Sequence, residues 1–142
     1  KNQMVGVFDL ELLRLYTYLY QDSDKNYSIV HDLGGYDEIS LTNTVKIVSN
    51  KSEMLFSAED LGLKNNTQEA IFGGNSVAEA SKIFKTIIAG QGTEAQNNVV
   101  CANAGLAIAT AKQLTHIEGY ELAKEALFSG KANECLTKLI AL

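Results

Sequence analysis

Proline is absent from all 142 residues, where average usage would place it at about 5%. The chain therefore has no Pro-rich linker, and no repeat, low-complexity tract or internal boundary divides it. Arginine is nearly as scarce, with Arg14 alone among 12 Lys+Arg against 17 Asp+Glu and a net charge of −5. A nucleic-acid binder would carry a basic stripe, and none is present. Long apolar runs are also missing. The longest, Val99 to Thr110, is broken by Asn103 and is too short and too small in its residues to cross a bilayer. No charged n-region followed by an apolar h-region opens the chain. Cysteine is limited to Cys101 and Cys135, neither in a CxxC pair. Both are expected to be reduced, core or near-core residues of a cytoplasmic protein. Without a Cys/His cluster of metal-ligand spacing the sequence does not point to a zinc site. No Walker A lysine, GxGxxG, GxSxG, HExxH or EF-hand loop is present either.

What remains is an ordinary globular composition, 46% apolar and 20% charged, long enough for one domain with a real core. The first residue is Lys rather than Met, so the chain is expected to start inside a larger protein, or to have been processed or trimmed.

Met4-Val5-Gly6-Val7 reads as a short strand. Asp9 stands at an N-cap position, and the helical spacing of Leu12, Leu13, Leu15, Tyr16, Leu19 and Tyr20 predicts a helix over roughly Leu10–Gln21. Tyr16, Tyr18 and Tyr20 fit core and rim packing better than an aromatic platform. After the polar break Asp22–Asn26, Tyr27–Asp32 reads as a strand. Val45–Val48 and Met54–Phe56 form a hairpin around Asn50-Lys51-Ser52. Ser57–Gly62 is a capped single turn closed by glycine. Three S/T-x-x-E/Q boxes then start three helices, at Ser76, Thr93 and Thr115. The first stops at Gly90, the second covers about Glu94–Gln113, and the third runs to about Phe128, with Ser129-Gly130 as its stop. A last helix covers Lys131–Ala141. The alanine-rich second helix predicts close packing against a neighbour.

Candidate chemistry concentrates in Gly34-Gly35-Tyr36-Asp37-Glu38-Ile39-Ser40, two adjacent acids behind a glycine turn at the end of a strand. Open α/β sheets bind ligands at the carboxyl ends of their strands. Two hard carboxylates there suit Mg²⁺ held against a phosphorylated substrate. On spacing alone an acidic surface turn is the favoured reading, since Gly, Asp and Ser are common turn residues. On a regular strand adjacent side chains point to opposite faces, so Asp37 and Glu38 share one ion only where the backbone bends. His31 fits an exposed or a satisfied structural histidine better than a ligand contact, and His116, at a helix start, fits the surface. Gly73-Gly74-Asn75-Ser76 opens a helix, either as an anion cradle or, more simply, as a turn.

These residues fall in an order that resembles anthranilate phosphoribosyltransferase. The matching stretches are Gln3-Met4-Val5-Gly6-Val7, Gly35-Tyr36-Asp37-Glu38-Ile39-Ser40, Glu59-Asp60-Leu61-Gly62-Leu63, Gly73-Gly74, Val99-Val100-Cys101-Ala102-Asn103-Ala104, and Gly119-Tyr120-Glu121-Leu122-Ala123 through Ser129-Gly130-Lys131-Ala132. Gly-x-Asp-Glu-Ile-Ser is the most specific of them. The resemblance implies an α/β fold with a mixed sheet and packed C-terminal helices. Residues 1–142 would be the C-terminal part of a nucleoside phosphorylase/phosphoribosyltransferase catalytic domain. It also implies transfer of a phosphoribosyl group from phosphoribosyl pyrophosphate to anthranilate, releasing pyrophosphate, in tryptophan biosynthesis. Asp37 and Glu38 would then bind the Mg²⁺ that clamps the pyrophosphate.

The family's helical domain, its Gly-rich phosphate loop, its Lys-His-Gly-Asn-like segment and its anthranilate-contacting His and Arg have no counterpart here. So no catalytic or substrate-pocket residue is assigned, the chain alone is expected to be inactive, and its uncovered apolar surface invites homo-oligomers. Glu79 departs from the family's usual Asn. A pyrimidine nucleoside phosphorylase of the same fold would not need the Asp37–Glu38 pair. A non-catalytic paralogue adapted to nucleic acid would need cations that are absent. A stand-alone interaction domain is the reading if the mature protein starts at Lys1.

Overall fold

A computed structural model describes all 142 residues, Lys1–Leu142. Four strands form one sheet: β1 (Asn2–Gly6), β2 (Asn26–Asp32), β3 (Val45–Ser49) and β4 (Glu53–Phe56), in the spatial order β1-β2-β3-β4. β1 and β2 are parallel, with Gly6 opposite Val30, and are joined through helix α1 (Leu10–Tyr20). β2–β3 and β3–β4 are antiparallel, with Asp32 opposite Val45 and Val48 opposite Glu53. The sheet is therefore mixed, as expected.

β2 is the central strand. From Tyr27 to Asp32 every residue is buried, because both faces of the sheet are covered. Tyr27 and Ile29 join Val7, Leu13 and Val48 beneath α1. Val30 joins Val45, Ile47, Phe56, Cys101, Leu106, Tyr120 and Leu127 on the opposite face. That second face is roofed by α3 (Glu94–Lys112) and α4 (His116–Phe128). α2 (Val77–Ile88) precedes them and α5 (Lys131–Ile140) ends the fold. No helix is long and apolar enough to cross a membrane.

The caps explain the helix starts. Thr93 and Gln96 bond reciprocally at the start of α3, and Thr115 and Glu118 at the start of α4. Ser76 departs from this pattern. Its hydroxyl accepts from the Glu79 amide, but the Glu79 carboxylate turns to the Asn75 amide at 2.7 Å. The box at α2 is thus half-formed. α3 and α4 cross at Gly105 and Gly119, where a Cβ on Gly105 would lie 2.7 Å from the Tyr120 Cα. The small residues of α3 do permit backbone-to-backbone contact.

Cys135 is exposed, against the expectation of a near-core position; α5 is covered along little of its length and has no buried residue. Cys101 is buried as expected, and both thiols are free. Tyr16 and Tyr20 are half-buried beside Tyr27, while Tyr18 faces out. α2 has no buried residue although one of its faces is apolar, with Val77 and Phe84 exposed. Leu15, Tyr18 and Leu19 on α1, and Leu139 and Ile140 on α5, are exposed as well.

Candidate functional site

β2 ends at Asp32, and the chain reverses at once. The Gly35 amide donates to the Asp32 carbonyl at 2.9 Å, and the Asp32 amide donates to the Tyr36 carbonyl at 2.9 Å. Gly35 sits at φ +99°, a conformation that side chains with a Cβ rarely adopt, which is why a glycine stands there.

The loop that follows is held from three sides. The Asp32 carboxylate is fully buried and accepts from the Gly34 amide at 2.7 Å and from the amide and hydroxyl of Ser40. Asn103, half-way along α3, clamps the Ile39 backbone on both sides of its Cα. Its Oδ1 accepts from the Ile39 amide at 2.9 Å and its Nδ2 donates to the Ile39 carbonyl at 2.8 Å. Gly6, the last residue of β1, lies directly under the Asp37 carbonyl, and a Cβ there would overlap that oxygen. Just beyond, Leu41 is buried at φ 57°, an uncommon conformation for a bulky residue. Its carbonyl accepts from the Asn66 amide.

Between these anchors Asp37 and Glu38 are exposed at the carboxyl ends of the parallel strands β1 and β2. The segment is bent rather than extended, so strand alternation no longer separates the two side chains. Neither carboxylate makes a hydrogen bond or ion pair within the chain, whereas Asp32, Asp60, Glu79 and Glu118 all do. No third His, Cys, Asp or Glu joins them to complete a metal cluster. The bend therefore offers two free carboxylates, hard oxygen donors with no other protein ligand beside them. This fits Mg²⁺, which keeps waters and substrate phosphate oxygens in its shell.

The other candidates resolve differently. His31 is buried with its Nδ1 2.9 Å from the Val7 carbonyl, a structural role. His116 is half-buried rather than at the surface; its ring meets Phe56 edge-on at 5.7 Å, and burial lowers its pKa. The Gly73–Ser76 turn holds no open anion cradle, because the Glu79 carboxylate already takes the Asn75 amide. Of the loop's anchors, Asp32 escaped the sequence reading as a site residue. Gly6, Ser40 and Asn103 stood in the stretches that resemble the family, but nothing local in the sequence showed that they hold this loop.

Residues 1–133 match the glycosyl transferase family, a/b domain. The chain is 57% identical over 139 residues to the anthranilate phosphoribosyltransferase of Flavobacterium psychrophilum, covering 98% of this chain and 42% of that protein. Its fold superposes on the Thermus thermophilus anthranilate phosphoribosyltransferase with a TM-score of 0.84 at 28% identity, covering 96% of this chain and 41% of that one. A Saccharomyces cerevisiae anthranilate phosphoribosyltransferase in complex with PRPP and Mg shares the fold, at 18% identity, a TM-score of 0.76 and coverage of 96% of this chain and 39% of that one. The chain thus spans about two-fifths of the length of the relatives it matches. On the strength of the family match across nearly its whole length, the chain belongs to the glycosyl transferase family, a/b domain.

Proposed function

We propose that this chain is the C-terminal part of an anthranilate phosphoribosyltransferase, a bacterial enzyme of tryptophan biosynthesis working in the cytoplasm. In the full-length enzyme, Asp37 and Glu38 would hold Mg²⁺. The observation that carries this reading is the pair itself: two exposed, unpartnered carboxylates on a rigidly anchored bend at the carboxyl end of a parallel strand pair. The relatives' shared name supports the reaction, and the yeast protein with PRPP and Mg supports the ion.

Mg²⁺ would neutralise charge developing on the pyrophosphate leaving group. The chain's own residues supply position. Asp32, Ser40 and Asn103 fix the backbone of the bend from which the two carboxylates would reach the substrate. The ribose carbon becomes cation-like as pyrophosphate departs, so leaving-group stabilisation and orientation carry the rate. The phosphate loop and the anthranilate pocket would come from the remaining three-fifths of the enzyme.

The test uses the full-length enzyme carrying Asp37→Asn together with Glu38→Gln. Mg²⁺-dependent turnover of phosphoribosyl pyrophosphate should fall by about 10²–10³-fold, the scale of losing a preorganised electrostatic contact. Turnover unchanged across a Mg²⁺ titration would make the pair a plain acidic turn.

A further inference from the structure

At the pole opposite the Asp37–Glu38 bend lies a cleft of about 360 Å³. It opens between the amino end of β2, the β3–β4 turn and the junction of α3 with α4. Small-molecule sites typically span about 300–1,000 Å³. The apolar lining comes from Met54, Phe56, Ala109 and Leu114. Four polar side chains on the wall retain free hydrogen-bonding capacity.

Ser28 is the most informative of these. It is 3% exposed, and its hydroxyl lies 2.7 Å from Thr110 Oγ1. Thr110 Oγ1 also lies 2.7 Å from the Leu106 carbonyl. With the Thr110 proton on that carbonyl, Ser28 donates to Thr110 and its own oxygen keeps accepting capacity.

The other three frame the mouth. Gln113 terminates α3 in the left-handed conformation, φ 58°, and its carboxamide has no partner in the chain. The Asn50 carboxamide lies near the Tyr27 amide only at 3.5 Å, and its NH₂ is free. His116 packs on Phe56, and its burial keeps the ring neutral, so it presents one donor and one acceptor nitrogen. The formal charges on the wall are Lys51 and Asp60, one of each sign.

We infer that this cleft is a second binding site, for a neutral planar nitrogen heterocycle of purine-base size. Carboxamides read the donor–acceptor edge of such a base in bidentate fashion. The apolar lining takes its faces, and Ser28 accepts from a ring or exocyclic N–H. A phosphate group would find one lysine opposed by an aspartate, and a hydrocarbon would leave the Gln113 and Asn50 carboxamides unpaired. The inference is independent of the metal-loop reading, since no residue is shared between the two poles.

The probe is adenine, titrated into ¹⁵N-labelled full-length protein and followed by amide chemical shifts. The expected result is saturable shifts at Ser28, Gln113 and His116, with Gly34–Ser40 unmoved. Ser28→Ala and Gln113→Gly should each weaken binding roughly fivefold, one hydrogen bond's worth. Gln113→Gly keeps the left-handed helix end that glycine favours, so it decides the matter if Ser28→Ala fails to fold. The inference is overturned by no saturable shift up to the solubility of adenine, or by shifts confined to Gly34–Ser40. It is equally overturned by binding indifferent to both variants, or by inorganic phosphate reproducing the same shifts.

Discussion

Asn103 binds one residue of the Asp37–Glu38 loop through both of its backbone groups, the Ile39 amide and the Ile39 carbonyl. Asn103→Ala removes both bonds and leaves the Ile39 backbone without its partner. A loss of about 1–3 kcal/mol is expected in denaturant unfolding. Gly6 acts on the same loop by having no side chain. Gly6→Ala would push the Asp37 carbonyl away. In the full-length enzyme it should cut Mg²⁺-dependent turnover by about 10²-fold, the cost of a displacement near 1 Å. Unchanged turnover would show that the loop's position does not govern the reaction. The cysteines separate just as sharply. Cys101 is buried and its thiol is pushed up to about 11, whereas Cys135 is exposed. An aromatic disulfide reagent at pH 8 should therefore titrate one thiol in the native chain and two after denaturation. At this scale the sequence was readable where local chemistry decides. Asp9 caps α1, and Gly35 makes its turn. It was silent on Asp32, whose carboxylate meets Ser40 eight residues on, a meeting set only by the loop's return.

The elements followed their local signals closely because those signals agreed with one another. Capping pairs at Thr93 and Thr115 set helix starts that hold in three dimensions. The half-formed box at Ser76 shows the limit, because Glu79 has two amides within reach and takes that of Asn75. The crossing of α3 and α4 was legible only as a run of small residues; which of them touch depends on the sheet below. Gly119→Val should cost about 1–3 kcal/mol by overpacking against the Gly105 carbonyl and Ala109. The start of α4 also carries a pH dependence. Burial depresses the pKa of His116 in the folded chain, so the unfolded chain takes up the proton first as pH falls below about 6.5. Stability from this group is fully present above that pH and is lost as pH falls through the folded value. Urea midpoints measured between pH 5 and 8 should show a drop on the acid side that is shallower in His116→Phe.

The whole molecule closes a core around β2 yet leaves three helix faces uncovered. Apolar residues stand exposed on α1, on α2 and on α5, and β1 has a neighbour on one side only. Such area exceeds scattered surface hydrophobics, and an unpaired parallel edge strand is a template for association. The chain spans about two-fifths of its relatives' length, and on the proposed reading the other three-fifths of such an enzyme would cover these faces. Two consequences follow together. The isolated 142-residue chain should self-associate, seen by light scattering as a mass above 15.4 kDa that rises with concentration. It should also show no phosphoribosyl transfer, since it carries the two carboxylates without a phosphate loop. Replacing the apolar face of α2 with Val77→Lys and Phe84→Lys should lower the mass of the isolated chain without loss of helix. In the full-length enzyme the same pair should be destabilising, because there the face would be buried. A monodisperse 15.4 kDa monomer at all concentrations would mean that these faces tolerate water, and the case for their being covered would fall.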